Sequence, residues 1–225
     1  MVVLAFPFEA IEERARERVG GAQALSERLP RPKPDEELRA LADDRYLSQM
    51  SLRIFRAGLK HSVVDARWPA FEDAFMGFEP RRVVAMSDEQ MEALLQDRRL
   101  IRHWGKLKAV RANAAAMVEL AGQGGMGAWL ADWPRDDVVG LWAELAKRFS
   151  QLGGNSGPYF LRMTGKDTFM LTPSVVGALN HWEAFDGTPK SKADKVKVQE
   201  VFNAWHRASS RPLCQISMIL ALSVD

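Results

Sequence analysis

Apolar residues recur at intervals of three and four positions along most of the chain, and no stretch alternates convincingly between apolar and polar residues. The first spacing places apolar side chains on one face of an α-helix, whereas alternation is typical of a half-buried β-strand. Residues 8–29 show the helical spacing, with one face formed by Phe8, Ile11, Ala15 and Val19. We therefore predict an all-α protein with many short helices and no internal repeat.

The first 34 residues differ in pattern from the rest of the chain. Gly20 and Gly21 break the helical pattern of 8–29 into two pieces. Prolines at 30, 32 and 34 make that run a stiff, extended connector and not a regular helix. We predict that 1–34 is an N-terminal helical arm with a proline-rich connector, which packs on the body or mediates a contact, and that 35–225 is a helical body.

Several residues of the body predict where its helices begin. Ser87, followed three positions later by Gln90, fits the capping box of a helix N-terminus. Pro69 predicts the start of a short helix over 70–75, separate from 63–68. Further helices are predicted at about 104–121, at 173–185 with Thr172 as cap, and at 193–207 and 212–223.

The stretch from Leu152 to Leu179 begins with signals for two short helices joined by a glycine turn. Gly153 and Gly154 suit the positive φ of a helix C-terminus, and Pro158 suits the first position of a second helix, which Gly165 would end. Such a turn exposes several backbone N–H groups in one place, and this arrangement suits a phosphate. An ordinary turn in a helical protein is the alternative.

Charge strengthens the first interpretation, although the net charge of the chain is only +2. A basic run without acidic residues contains Arg98, Arg99, Arg102, Lys106, Lys108 and Arg111. If this segment is helical, Arg98, Arg102 and Lys106 share one face. A second run contains Lys190, Lys192, Lys195 and Lys197. One such run is usually a solvated surface, but two beside a glycine turn favour binding to a nucleic-acid phosphate backbone.

Composition limits the cellular setting. The chain is 47% hydrophobic and 27% charged, as expected for a soluble globular protein. Cys214 is the sole cysteine, so an intrachain disulfide is impossible and a reducing compartment is expected. No apolar run reaches the roughly 18–20 residues that span a bilayer. We expect a cytoplasmic protein that makes no membrane contact.

Four motifs carry a more specific resemblance. They are A-G-L at 57–59, W-P-A-F-E-D-A-F at 68–75, F-E-P-R-R-V-V-A-M at 78–86 and L-L-Q-D-R-R-L-I-R-H-W-G-K-L-K-A-V-R-A-N-A at 94–114. Together they resemble the DNA-3-methyladenine glycosylase I family, a member of the helix-hairpin-helix superfamily of base-excision DNA glycosylases. The resemblance covers about 44–179, and L-G-G-N-S-G at 152–157 sits where the superfamily has its hairpin.

The resemblance implies an all-α, two-lobed helix-hairpin-helix glycosylase fold with double-stranded DNA crossing the cleft. A damaged base such as 3-methyladenine would be flipped from the duplex and its N-glycosidic bond hydrolysed. The phosphate-binding residues would be Gly153, Gly154, Asn155, Ser156, Gly157, Arg102 and Lys106. The base pocket would be formed by Tyr46, Arg53, His61, Trp68, Trp104 and Tyr159, although an aromatic residue at helical spacing is more often part of a core.

The sequence departs from the family pattern at three points. Arg53 stands where the family has an acidic residue that helps to recognise the base. The helix after the hairpin begins with Thr172, Pro173 and Ser174, where the superfamily has a catalytic Asp. Asp167 and Thr172 are therefore the candidate catalytic residues. The family's zinc ligands are missing, so neither a metal nor another cofactor is expected.

These departures leave an alternative from another functional class. A non-catalytic protein of the same fold would bind lesions or DNA structures without cleaving a glycosidic bond. A third possibility is an unrelated helical scaffold whose 1–34 arm recruits a protein partner.

Overall fold

A computed structural model of the protein describes residues 4–224, and none of these residues forms a β-strand. The all-α prediction is confirmed. In chain order the helices are α1 (Phe8–Val19), α2 (Ala22–Arg28), α3 (Asp35–Ala40), α4 (Asp43–Arg56), α5 (His61–Ala74), α6 (Pro80–Val84), α7 (Asp88–Ala93), α8 (Trp104–Ala121), α9 (Gly125–Asp132), α10 (Val138–Arg148), α11 (Ser156–Thr164), α12 (Pro173–His181), α13 (Lys192–Ser209) and α14 (Leu213–Ser223). A single 3₁₀ turn lies at Met76–Phe78.

The chain forms two compact units, which we describe separately. The described residues of unit 1 are 4–32, 134–141 and 167–224, and unit 2 contains 33–133 and 142–166. The N-terminal helices α1 and α2 therefore lie in the same unit as α12, α13 and α14. Helix α10 begins in unit 1 and ends in unit 2.

Unit 1 is built on the packing of α1 against α13 and α14. Phe8 of α1 is buried, and its ring centroid lies 5.9 Å from that of Trp205 on α13. Outside the core, Glu12 accepts two hydrogen bonds from the guanidinium of Arg211, at 2.6 and 2.7 Å. Apolar burial and this ion pair thus fix the first helix, which the sequence assigns to an arm, within a folded unit.

Unit 2 is organised around α4, which contacts α5, α8, α9 and α11. The buried side chains of α4 include Tyr46, Leu47, Met50, Ile54 and Phe55. Phe55 belongs to an aromatic cluster that also contains Trp68, Phe71, Phe75 and Phe78. Neighbouring rings of this cluster have centroid distances of 4.5–6.4 Å. Helix α4 therefore links this aromatic cluster to α8 and α11, which it also contacts.

Several predicted helix boundaries are confirmed by local geometry. Gly20 has a φ of 95° at the end of α1, and Gly165 has the same φ at the end of α11. Ser87 and Gln90 form both hydrogen bonds of the capping box. The hydroxyl oxygen of Thr172 accepts a hydrogen bond from the backbone of α12.

Other boundary predictions are wrong. Pro69 does not start a new helix, because α5 continues through it from His61 to Ala74. A proline removes one backbone donor but does not always end a helix whose neighbours are packed. The glycines of 122–127 predict a loop over that whole range, but α9 already begins at Gly125. The amide of Met126 in its first turn donates to the carboxylate of Asp43 at 2.9 Å.

Gly127→Ala will destabilise unit 2, because α9 approaches α3 there without room for a side chain. A Cβ atom at residue 127 would clash with the carbonyl oxygen of Leu38 and lie 3.1 Å from the Cα atom of Arg39. Overpacking of this kind costs about 1–3 kcal/mol of unfolding free energy. Gly177→Ala is the matched control, because residue 177 is also helical but has open space around it. Chemical denaturation should show the control to be more stable than wild type by about 0.5–1 kcal/mol; equal losses in both variants would contradict the close approach.

Candidate functional site

The predicted glycine turn joins α10 to α11. Gly153, Gly154 and Asn155 are exposed, and their backbone N–H groups donate to no acceptor in the described part of the chain. Gly154 has a φ of 59°, a value that L side chains rarely adopt. Asn155 is the N-cap of α11. The sequence predicts Pro158 at the first helical position, but that position is occupied by Ser156. The turn therefore presents three unpaired amide donors at the surface of unit 2.

The remaining predicted members of the turn are less accessible. Ser156 is half-buried, and its amide donates to the carbonyl of Gly153 at 3.2 Å. Gly157 is buried, and a Cβ atom there would lie 3.1 Å from the carbonyl oxygen of Leu152. These two residues shape the turn, whereas the exposed donors belong to 153–155.

Helix α8 holds the turn in position through a residue that the sequence reasoning missed. Asn113 is fully buried, and its side-chain amide donates to the Ser150 carbonyl at 3.2 Å. Its side-chain oxygen accepts from the Ser150 amide at 2.6 Å. Gln151 also donates to the Gly105 carbonyl at 2.8 Å. Asn113 lies on the apolar face of α8, three residues after Val110. A polar residue at such a position indicates a buried side chain with a hydrogen-bond partner, and this was the signal in the sequence.

The basic run beside the turn does not form one helical face. Helix α8 begins only at Trp104, because the ring nitrogen Nδ1 of His103 caps it by accepting from the Lys106 amide at 3.3 Å. Arg98 and Arg102 precede the helix and are exposed. The predicted face shared by Arg98, Arg102 and Lys106 is therefore wrong.

The ammonium group of Lys106 is hydrogen-bonded within the protein and is not free to bind a phosphate. Its side chain is buried, and Nζ donates to the carbonyl oxygens of Phe55 at 3.2 Å and Ala57 at 2.6 Å. These carbonyls lie at the C-terminal end of α4, where the last carbonyls of a helix lack intrahelical partners and carry partial negative charge. Lys106 thus caps α4, and the structure leaves Arg102 as the exposed cation of the predicted phosphate-binding pair.

Arg53 and Tyr159 are the two predicted pocket residues that the structure brings into contact. The guanidinium carbon of Arg53 lies 4.5 Å from the centroid of the Tyr159 ring, a cation–π geometry. Burial lowers the pKa of Arg53, and the charge of Arg56 lowers it further. The Nε atom of Arg53 is buried and has no hydrogen-bond partner among the described residues.

The other predicted pocket residues have different environments. Tyr46 is fully buried and donates to the Leu38 carbonyl at 2.7 Å, and burial raises the pKa of its hydroxyl. Trp68 stacks within the aromatic cluster of unit 2 and donates to Ser48 at 3.1 Å. His61 is exposed at the start of α5, and Trp104 is half-buried, 5.3 Å from the Lys108 ammonium. Tyr46 and Trp68 are thus engaged in the packing of unit 2.

The two candidate catalytic residues lie in unit 1, and both are helix caps there. The Asp167 carboxylate accepts from the backbone N–H groups of Leu213 and Cys214, each at 2.9 Å, at the start of α14. Thr172 Oγ1 accepts from the Val175 amide at 3.3 Å. In α12 the following residues Pro173 and Ser174 are exposed.

Asp167→Ala will lower stability, because it removes the acceptor for two backbone donors of α14. Loss of such a cap costs about 0.5–2 kcal/mol of unfolding free energy. Asp167→Asn keeps one of the two acceptor oxygens, so it will retain part of this stability. Thermal unfolding of the two variants against wild type measures the difference; an Ala variant as stable as wild type would contradict the capping role.

Two further features bear on the class of site. Within residues 4–224, no group of His, Cys, Asp and Glu side chains is arranged to hold a metal ion. The helices of that range include none with the length and apolar character needed to cross a membrane.

Comparison with known proteins identifies the fold. The family model for methyladenine glycosylase matches residues 37–145. The resemblance predicted from the motifs at 57–114 is thereby confirmed. A segment of 69 residues is 36% identical to DNA-3-methyladenine glycosylase 1 of Escherichia coli strain K12. This segment is 31% of the present chain and 37% of the Escherichia coli protein, so the match spans about a third of each.

Solved structures extend the likeness beyond the matched segment. The 3-methyladenine DNA glycosylase I of Staphylococcus aureus is 19% identical, with a TM-score of 0.50, over 68% of this chain and 91% of that chain. The 8-oxoguanine glycosylase/lyase of Methanocaldococcus jannaschii, solved with DNA containing 8-oxoguanine, is 12% identical. Its TM-score is 0.53 over 94% of this chain and 95% of that chain. At these identities the likeness establishes the fold, and the glycosylase-like helical fold is confirmed.

Proposed function

We propose that the protein is a base-excision DNA glycosylase that removes an alkylated base, of the 3-methyladenine kind, from double-stranded DNA. The observation that carries this proposal is the match of 37–145 to the methyladenine glycosylase family. The Escherichia coli relative named for this activity shares 36% identity over its matched segment. The proposed compartment is the cytoplasm.

In this proposal the glycine turn binds the DNA backbone. The exposed N–H groups of Gly153, Gly154 and Asn155 donate to the oxygens of one phosphate. Such contacts fix the position of a protein on a duplex without reading its sequence. The exposed cations of Arg98, Arg102 and Lys108 add attraction to the phosphate backbone that weakens with salt. Asn113, which holds Ser150 through two hydrogen bonds, keeps the turn in the required shape.

The reaction would be hydrolysis of the bond between sugar C1′ and the base nitrogen. The damaged base rotates out of the stack, at a cost of a few kcal/mol that a lesion reduces. The C1′–N bond then breaks, and its electron pair leaves with the base. The oxygen of a water molecule bonds to C1′, and a proton from this water passes to the departing base or to solvent. An alkylated base is a good leaving group, so the step demands little from a general base.

One observation favours a second candidate, a lesion-binding protein without catalysis. Thr172 supplies a hydroxyl where the superfamily resemblance implies a carboxylate, and it is already a helix cap. Both carboxylate oxygens of Asp167 accept hydrogen bonds from α14. A hydroxyl does not stabilise the positive charge that develops on the sugar as a carboxylate does. A protein with these residues would still bind DNA through 153–155.

Base release from defined duplexes distinguishes these two candidates. The purified protein is incubated with a methylated duplex and with duplexes that contain a deaminated or oxidised base, and released bases are separated by chromatography. The undamaged duplex is the control. Release of free base from a damaged duplex supports the glycosylase. Salt-dependent binding to the same duplexes without any release supports the binding protein, and the absence of both refutes the proposed function.

A further inference from the structure

His103 presents a hydrogen-bond donor at the surface of unit 2 that the rest of the protein does not use. Its ring nitrogen Nδ1 accepts from the Lys106 amide at 3.3 Å and thereby caps α8. A nitrogen that accepts a hydrogen bond carries no proton, so the proton of the neutral ring is on Nε2. His103 is exposed, and its Nε2 donates to no acceptor within residues 4–224.

The cap also fixes the orientation of this donor. The hydrogen bond to Lys106 holds the imidazole against the first turn of α8. The ring carbon Cε1 lies 3.4 Å from the position that a Cβ atom of Gly105 would occupy. Because the ring is already ordered, little side-chain entropy is lost when Nε2 binds an acceptor. A long, flexible lysine or arginine side chain loses much more.

The donor of His103 lies beside the glycine turn of 153–155. The same Cβ position of Gly105 is 3.8 Å from the side-chain nitrogen of Gln151, which donates to the Gly105 carbonyl at 2.8 Å. Gln151 precedes the first exposed amide of the turn by two residues, which span at most about 7 Å. All of these residues belong to unit 2. The imidazole and the exposed amides of the turn are therefore neighbours.

The chemistry of this surface suits a ligand with anionic oxygen atoms. Arg102, the residue before His103, is exposed and makes no ion pair in the part of the chain that the structure describes. An imidazole N–H that donates to a phosphate oxygen makes a charge-assisted hydrogen bond, which is stronger than one between neutral groups. Phosphates of one DNA strand follow each other at about 3.4 Å along the helix axis. A duplex with one phosphate on the turn thus brings another phosphate close to His103.

We infer that His103 is a second phosphate ligand of the DNA-binding surface, and that its Nε2–H donates to the phosphate next to the one bound by the amides of 153–155. This inference rests on the proposed function and deepens it, because it assigns two neighbouring phosphates of one strand to named donors. One ring then has two roles, since Nδ1 caps α8 and Nε2 binds DNA. A phosphate contact positions the duplex without reading a base, so His103 contributes to affinity for every sequence alike.

His103→Asn separates the two roles of the ring. Asparagine is a good N-cap residue, so the variant keeps the start of α8, but its shorter side chain extends no donor to the position of Nε2. Affinity for duplex DNA is expected to weaken about five- to tenfold, while the midpoint of thermal unfolding stays within about 2 °C of wild type. His103→Ala also loses the cap, so its midpoint should fall. The control is His181→Asn, which changes an exposed histidine of unit 1 and should leave the affinity unaltered.

A duplex with single neutral linkages maps the contact. The probe is one duplex with a tetrahydrofuran abasic-site analogue, in which a methylphosphonate replaces one phosphate at a time, and binding is measured by fluorescence anisotropy. With wild-type protein, replacement at two neighbouring positions of one strand should weaken binding. With His103→Asn, the loss at one of these positions should disappear, because the contact is already missing, and the loss at the position of the turn should remain. A wild-type profile or a wild-type affinity in His103→Asn overturns the inference.

The same measurements separate this inference from the function on which it rests. If wild-type protein binds the duplex but responds to methylphosphonate only at the position of the turn, His103 is a cap alone and the proposed role of the turn stands. If wild-type protein does not bind the duplex at low salt, the proposed function and the inference fail together. If His103→Asn loses as much stability as His103→Ala, unfolding explains its weaker binding and the assignment to His103 fails.

Discussion

Lys106→Glu is expected to destabilise the folded protein by about 3 kcal/mol or more, because it places a carboxylate against two carbonyl oxygens. In the wild type, the ammonium of Lys106 is buried and bonds to the carbonyls of Phe55 and Ala57 at the end of α4. The substitution removes these donors and adds a negative charge at the negative end of the helix dipole. Urea denaturation, followed by circular dichroism, measures the change in unfolding free energy.

Two further variants separate the capping role from a role in DNA binding. Lys106→Met keeps the apolar stem and loses only the donors, so about 1–3 kcal/mol of stability should be lost. Lys108→Glu changes an exposed lysine two residues further along the same helix and should alter stability by no more than about 0.5 kcal/mol. If Lys106→Glu is as stable as wild type but binds duplex DNA poorly, the ammonium is a phosphate ligand and the capping role is refuted.

The periodicity of α8 already contained a signal for the position of Lys106. Residues 106, 110, 113 and 117 recur at helical intervals, and Val110 and Met117 are plainly apolar. All four are buried. The basic composition of 98–111 favoured the opposite prediction, an exposed face shared by Arg98, Arg102 and Lys106, because that prediction extended the helix beyond its true start at Trp104. Lys106 and Asn113 are polar residues on a buried face, and such residues find backbone partners.

The position of the hairpin was predictable because glycine has conformational consequences that act locally. Gly154 has a positive φ and Gly165 ends α11, as the pattern indicates. The start of α8 was less predictable, since it depends on the His103 ring accepting a hydrogen bond from a backbone amide. The partners of Asp167 were beyond prediction, because residues 167 and 213 are distant in sequence and meet only through packing in unit 1.

The contacts of the predicted pocket residues were likewise beyond prediction from the sequence. Arg53 and Tyr159 are separated by 106 positions in the chain, and no pattern in the sequence indicates that they touch. Tyr46 and Trp68 have the periodicity of core residues as well as the composition of a base pocket. Tyr46 is fully buried, whereas Trp68 is half-buried and stacks on the aromatic cluster. The sequence therefore predicted the helices and the position of the glycine turn better than the surroundings of any aromatic side chain.

Gly154→Asp is expected to weaken binding to duplex DNA by about tenfold or more relative to Gly154→Asn. Both side chains impose the same steric demand on a residue whose φ is 59°, and Asn and Asp tolerate this conformation better than most residues. The variants therefore differ in charge alone. A carboxylate beside the exposed amides of 153–155 repels the phosphate that the proposed function places there.

Salt provides the internal control for this comparison. Binding of both variants to one duplex is measured by fluorescence anisotropy at low and at physiological ionic strength. The difference in DNA affinity between the two variants should become smaller as the salt concentration rises, because screening shortens the range of the added charge to about 8 Å at 0.15 M. Equal affinities of the Asp and Asn variants at low salt would show that the turn is not part of the DNA interface. Weak binding by both, with native stability, would instead show that the backbone shape of the turn matters more than its charge.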